Sequence, residues 1–569
     1  MTNRRFVLLS VLLTLIWSGL WARPYPVRLW QIGKADGSSS EFALDDGSYS
    51  DISKRFPGCT ALYTVGHSSA SDVPFVIPGP SDSWAGNPQG GLLVRFGVRE
   101  ADPEAALRLK LDFVEVHSGS APRLEIALND FRTEVQTPAG ADQNYLDTRK
   151  TSSKGLCAEV EIPAGTLRAG DNILSVRTVS GSWMVLDAVT FEASAPVKSA
   201  PAGAGISLFA AESEPALIYG RTQDELLHPV TLDIANWDAK PRKAAWSYDG
   251  KAGGELKLAP GLNRVQVGIP EGYDGRRVRF ALKTPDGDRS VETEILPAER
   301  WTVYLVQHTH TDIGYTKPQT EILTEHLRYI DYAIEYCEAT ADYPDDAKFR
   351  WTCEASWAVR EWLRIRPAEQ VERFLRFVKN GQIEVTAMFF NMSELSGENA
   401  YKTFLAPIAR FHELGIPVET AMQDDVNGVA WCLADYLPDL GVKYLTMGSN
   451  GHRALIPFDR PTLYRWESPS GKSLLSFRAD HYMTANFWGI DRGDMEGVRN
   501  GVFSYIRSLR RGGYDFPLIA AQYSGYSTDN SPPSMQECAL IRDWNEHYAW
   551  PKLRSATVHE FLEQIDTKY

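Results

Sequence analysis

At Trp301 the hydrophobic period of the chain changes, and this change constrains the architecture more than any other feature. Before it, apolar residues alternate with period two, as in Leu107–Phe113 and Arg123–Leu128. Turn signals at Asn129-Asp130 and Ala169–Asn172 bound these runs, so they read as half-buried strands. Residues 207–298 repeat the pattern, with turns at Asp249-Gly250 and Pro285-Asp286-Gly287. After Trp301, short apolar runs alternate with helical periods. Val303–Val306 predicts a strand, and Pro318–Ala339 a helix with Ile322, Leu327, Ile330, Ala333 and Ile334 on one side. Helices follow at Glu369–Asn380, Ala400–Leu414 and Val429–Leu440, the first two closed by Gly381 and Gly415. Strands are expected at Ile383–Phe390, Val418–Met422, Val442–Met447, Leu474–Phe477 and Pro517–Ala521. Such alternation predicts a parallel α/β sheet or barrel, in which chemistry sits at the carboxyl ends of the strands.

A chain of 569 residues divides into about three or four domains. The expected division is a signal peptide at 1–22, a β-sandwich at 24–194, a linker at 195–206, a small β-sandwich at 207–298 and an α/β domain at 299–569. Arg4 and Arg5 followed by the apolar run Phe6–Trp17 form the signal pattern, so a secreted or periplasmic protein is expected; a retained N-terminal anchor is the alternative. The linker consists of small residues and Pro. The net charge of −14 offers no electrostatic footprint for nucleic acid. The six cysteines are scattered without CxxC spacing, which excludes a zinc knuckle. Cys59 and Cys157 share one domain and an exported chain could pair them, although spacing does not establish the bond. The 16 Trp and 24 Tyr offer flat apolar faces for sugar rings, and core packing is their ordinary use.

Three motifs stand at predicted strand ends. His308-Thr-His310-Thr-Asp312 follows Val303–Val306, and in extended backbone its alternate residues face one way. Imidazoles with a carboxylate make a donor set suited to zinc, whereas a hydrogen-bonded turn is the plain alternative. Gln423-Asp424-Asp425-Val-Asn-Gly428 follows a second strand; adjacent carboxylates suit either a cation site or a helix cap. Ser524–Asn530 follows a third and offers Asp529 as an acid/base carboxylate or a loop cap. His452 and His481 come after later strands, and either would complete a metal shell. Glu354 and Glu394 rank below the Asp residues.

His310-Thr-Asp-Ile-Gly-Tyr315 resembles the opening zinc motif of glycoside hydrolase family 38, the retaining α-mannosidases. Phe349–Trp357, Gly381–Phe390 and Asp425-Val-Asn-Gly428 with Leu440–Tyr444 are similar to later segments of that catalytic (β/α)7 barrel, in the same order. Leu29–Asp36, Ile126–Asp130 and Ala169–Leu174 look like the carbohydrate-binding-type jelly roll of rhamnogalacturonan lyases, polysaccharide lyase family 4. The resemblance implies an N-terminal jelly-roll sandwich, a small sandwich and a (β/α)7 barrel. It implies zinc held by His310, Asp312, Asp425 and His481, with Asp425 as nucleophile and Asp529 as acid/base. It implies a carbohydrate substrate, a mannoside or plant-type polysaccharide, touched by His308, Glu394 and His452. Here Gly525-Tyr-Ser-Thr-Asp529-Asn530 replaces the family's Gly-Asp-Asp-Phe. A further zinc-binding His of the family lies in a downstream helical bundle. The chain stops at Tyr569, where the barrel is expected to end, so three readings stand: a fragment, a reduced relative, or a site in which His481 or His452 supplies that ligand. Two other readings compete. A metal-dependent hydrolase of another barrel class would need more metal-binding His than the later strands supply. The other is an inactive polysaccharide-binding protein.

Overall fold

The computed structural model describes residues 25–569 apart from 130, 151–152, 204, 285–288, 392–395 and 452–454. The expected signal peptide and the turn at 285–287 lie outside the described residues. No helix among the described residues is long and apolar enough to cross a membrane.

The N-terminal region is all-β, as its alternation predicts. One sheet orders the strands 27–33, 184–193, 107–116 and 156–162; the facing sheet orders 197–200, 91–101, 170–180, 123–128 and 131–136. Leu107, Leu109, Leu111 and Phe113 turn one face of their strand inward, while Arg108 and Lys110 keep the other half-exposed. Trp30 and Phe191 stack within this core at 5.2 Å, so these aromatics serve packing. The expected linker is partly structured: Val197–Ala200 pairs antiparallel with the strand 91–101, because its backbone groups find partners along a free sheet edge. All six cysteines are free, and Cys59 and Cys157 form no bond.

Residues 206–294 form two further sheets around Leu232, Trp246, Phe280 and Ile295. Tyr548–Trp550, from the far end of the chain, pairs with Leu217–Tyr219 and ties this sandwich to the α/β region. Glu214 reinforces the joint by accepting from Tyr548 Oη at 2.9 Å and pairing with Arg499.

The α/β region contains β1 (Thr302–His308), β2 (Trp351–Cys353), β3 (Ile383–Val385), β4 (Thr420–Asp424), β5 (Tyr444–Gly448), β6 (Thr462–Glu467), β7 (Ser473–Ala479), β8 (Leu518–Ser524) and β9 (Lys552–Ala556). β1 pairs in parallel with β2, β8 and β9, and β3 extends that sheet through β2. β4, β5 and β7 form a second parallel sheet, edged by antiparallel β6. The strand ladders among the described residues thus fall into two open sheets rather than one closed (β/α)7 barrel. Two residues beyond β3, Ala387 N–H donates to Thr420 O of β4 at 2.8 Å, a contact of the kind a closed ladder would repeat. Two sequence expectations change in detail. The helix expected over 400–414 is two, Glu398–Leu405 and Pro407–Glu413, because Pro407 has no N–H to continue the first. The strand expected over 383–390 ends at Val385.

Candidate active site

The site lies where β1, β2, β4 and β8 end. β1 delivers His308 as its last residue, and the chain beyond it carries His310 and Asp312 inward. Glu354 follows β2 directly, Asp424 closes β4, and Asp529 stands in the loop after β8.

These side chains form two adjacent groups that suit a cation among the described residues. The inner group is His308, Glu354 and Asp424, all fully buried. His308 Nε2–H donates to the Tyr482 carbonyl at 2.8 Å, and Nδ1 lies 2.6 Å from Glu354 Oε2 and 3.6 Å from Asp424 Oδ2. A carbonyl only accepts, which fixes the proton on Nε2. Asp424 Oδ1 accepts Gly448 N–H at 2.7 Å, while Oδ2 has no hydrogen-bond partner. Burial and the neighbouring Glu354 hold the Asp424 carboxyl well above the usual range; Glu354 is held low by His310 and His308 against its own burial.

The outer group is His310, Asp312 and Asp529. Glu354 Oε1 takes His310 Nδ1 at 3.1 Å and Thr311 N–H at 3.1 Å, so one carboxylate orients both imidazoles. His310 Nε2 is buried without a hydrogen-bond partner, 3.2 Å from Asp312 Oδ1 and 3.9 Å from Asp425 Oδ2. Burial would lower the His310 pKa, but Glu354 and Asp312 outweigh it and hold the imidazole well above its ordinary value. Tyr315 Oη donates to Asp312 Oδ1, and Asp312 N–H donates to Asn530 Oδ1 at 2.9 Å. The Tyr482 ring stacks on His310 at 4.5 Å, and its hydroxyl donates to Asp529 Oδ1 at 3.2 Å. Asp425 is half-buried at φ 57°, a left-handed conformation that Asp and Asn tolerate better than most residues. Its N–H donates to Gly448 O at 2.9 Å. A pocket of about 380 Å³ opens over His310, Asp312, Tyr315, Phe390 and Asp425.

The structure therefore brings His310, Asp312, Asp425 and Asp529 together. It separates His308 from them: expected at the substrate, His308 is enclosed, with both nitrogens engaged inside the protein. His481 joins neither group. Its Nδ1 accepts Met483 N–H at 2.9 Å, its ring stacks on Tyr482 at 4.4 Å, and burial pushes its pKa down to about 4. Glu394 and His452 lie outside the described residues. Sequence reasoning underweighted Glu354, although its place directly after a strand is the signal that singled out the Asp residues. Nothing local marked Tyr482.

Residues 300–569 match a family model described as the N-terminal domain of glycosyl hydrolases family 38. Residues 28–191 match polysaccharide lyase family 4, domain III, a CBM-like module. No curated protein matches the chain. Among solved structures, an alpha-mannosidase from Enterococcus faecalis V583 is 14% identical, with 47% of this chain and 29% of that chain covered and a TM-score of 0.37. A family 38 glycosyl hydrolase from Enterococcus faecalis is 13% identical, with 47% and 28% covered and a TM-score of 0.33. A GH2 beta-galacturonidase from Eisenbergiella tayi is 10% identical, with 63% of each chain covered and a TM-score of 0.16. The chain thus spans under a third of the length of either Enterococcus protein.

Proposed function

We propose, from the match of residues 300–569 to the model of the glycosyl hydrolases family 38 N-terminal domain, that the chain is a retaining glycosidase of α-mannosidase type that uses zinc and acts on mannose-containing glycans. The observation that supports this most is His310. Its Nδ1 is held by Glu354, and its Nε2 is buried, makes no hydrogen bond and is faced by carboxylates. A nitrogen so placed, among oxygen donors, fits a zinc ion. In this reading His310, Asp312 and Asp425 hold the ion, which supplies Lewis-acid orientation of sugar hydroxyls.

The remaining chemistry belongs to the chain's own residues. The Asp425 carboxylate attacks the anomeric carbon as the glycosidic C–O bond breaks, forming a glycosyl-enzyme ester. Asp529 gives its proton to the departing oxygen, then takes one from the water that releases the sugar. Tyr482 positions Asp529 through its hydroxyl. The export read from residues 4–17 and glycan attachment by the 28–191 module belong to the same proposal.

The test is hydrolysis of an aryl α-mannoside by the full chain and by Asp425→Asn, a variant that tolerates the left-handed backbone. Turnover that Asp425→Asn abolishes, with melting unchanged, supports the reading. Equal activity in both proteins removes Asp425 from its role. Ester or amide hydrolysis without mannoside cleavage points to another hydrolase class.

A further inference from the structure

A second and larger cleft, of about 690 Å³, lies where the three parts of the chain meet. Its size is within the roughly 300–1,000 Å³ of ordinary ligand sites. The N-terminal sandwich contributes Asn87 and Arg177, the small sandwich Arg264, and the α/β region Phe487, Trp488 and Arg507. The walls are held in register by bonds between the parts: Asn500 Nδ2 donates to Gly86 O at 2.7 Å, and Arg177 donates to Glu212 Oε1 at 2.5 Å. Charges along the walls are largely cancelled. Arg177 pairs with Glu212, Arg264 with Asp233 and Arg499 with Glu214. What is left includes the exposed Gln89, Glu496 and Arg507 and the exposed ring of Phe487, groups that hydrogen-bond to sugar hydroxyls and stack on a sugar face.

Phe487 links this cleft to the active site. Its ring lines the cleft, is 55% exposed and lies 5.2 Å from the His481 ring. His481 stacks on Tyr482, and Tyr482 stacks on His310 at 4.5 Å. A continuous file of rings therefore runs from the buried imidazole of the site to the exposed phenyl group at the cleft.

We propose that this cleft binds the continuing chain of a neutral mannose-containing oligosaccharide whose terminal residue occupies the active site, with Phe487 as the stacking platform at the junction. This rests on the glycosidase reading for the identity of the sugar. The enzyme then favours long substrates over short ones.

The test uses the full chain carrying Asp425→Asn, so that bound sugar persists, and titration calorimetry with methyl α-mannoside and α-1,6-linked mannohexaose. The expected result is at least tenfold tighter binding of the hexaose, lost in Phe487→Ala and weakened in Arg507→Ala, whose exposed side chain lies on the surface of the helix Met495–Arg511. Equal affinity for the two sugars overturns the proposal. So does a hexaose advantage that survives both substitutions; Arg507→Ala decides the matter if Phe487→Ala fails to fold. The catalytic reading fails differently: a hexaose advantage with no mannoside hydrolysis by the unsubstituted chain keeps the cleft and removes the enzyme.

Discussion

Glu354 holds His310 and His308 at once, one carboxylate oxygen 3.1 Å from His310 Nδ1 and the other 2.6 Å from His308 Nδ1. This fixes the rotation of the outer imidazole and leaves its Nε2 facing Asp312 and Asp425. Carboxylates that orient a ligating imidazole typically matter about 10–100-fold in metal affinity. Glu354→Gln is therefore expected to weaken zinc binding by about that factor, measured by competition with a chelating dye. Unchanged affinity would show that the carboxylate serves packing alone.

Asp529 lies within ligand reach of His310 and Asp312 and also receives the Tyr482 hydroxyl. As acid/base, its replacement by Asn spares zinc content and slows poor leaving groups most. The loss on a methyl mannoside is then about 10²–10⁴-fold, and much smaller on a dinitrophenyl mannoside. A variant that instead loses its zinc would move Asp529 into the ligand set.

Gly448 leaves no room for a side chain. A Cβ there would stand 2.3 Å from Gln522 Oε1, 2.5 Å from Asp424 Oδ1 and 2.8 Å from Tyr482 Cβ. Gly448→Ala must displace the Asp424 and Tyr482 side chains, at a cost of about 1–3 kcal/mol. The expected outcome is a lower denaturation midpoint together with a marked fall in turnover. Wild-type kinetics in this variant would contradict the packing described.

The architecture was legible where one period dominates a segment. The alternation at 107–113 and the strand–helix rhythm after Trp301 place the strands, and the strand ends place His310, Asp312, Asp425 and Asp529. The break at Pro407 was also written in the sequence, as a missing N–H inside a helical pattern. Side-chain direction beyond a strand end was not. His308 and His310 share a parity, yet β1 ends at His308, so the alternation stops there and the two imidazoles enter different groups. Tyr482 and the cleft depend on contacts between distant segments, which no local pattern encodes.

Glu537 supplies a pH signature of the fold away from the site. It is fully buried, accepts from Gln307 Nε2 at 2.6 Å, and burial pushes its pKa up to about 8. The folded chain thus holds a proton that the unfolded chain releases near pH 4.5. Its contribution is full below that value and is lost as pH rises through about 8. Glu537→Gln, neutral at every pH, is expected to melt at a higher temperature than the parent at pH 9 and to lose that advantage near pH 5. The same difference at both pH values would contradict a protonated carboxyl.

In the proposed reaction His310, with its neighbouring carboxylates, holds a zinc ion that mannoside cleavage requires. Hydrolysis of an aryl α-mannoside by the full chain, measured before chelation, after it and after zinc is restored, tests this most directly. The expected result is activity that disappears with the metal and returns with it. Hydrolysis undiminished in the metal-free protein, or none in the zinc-loaded protein, would contradict it.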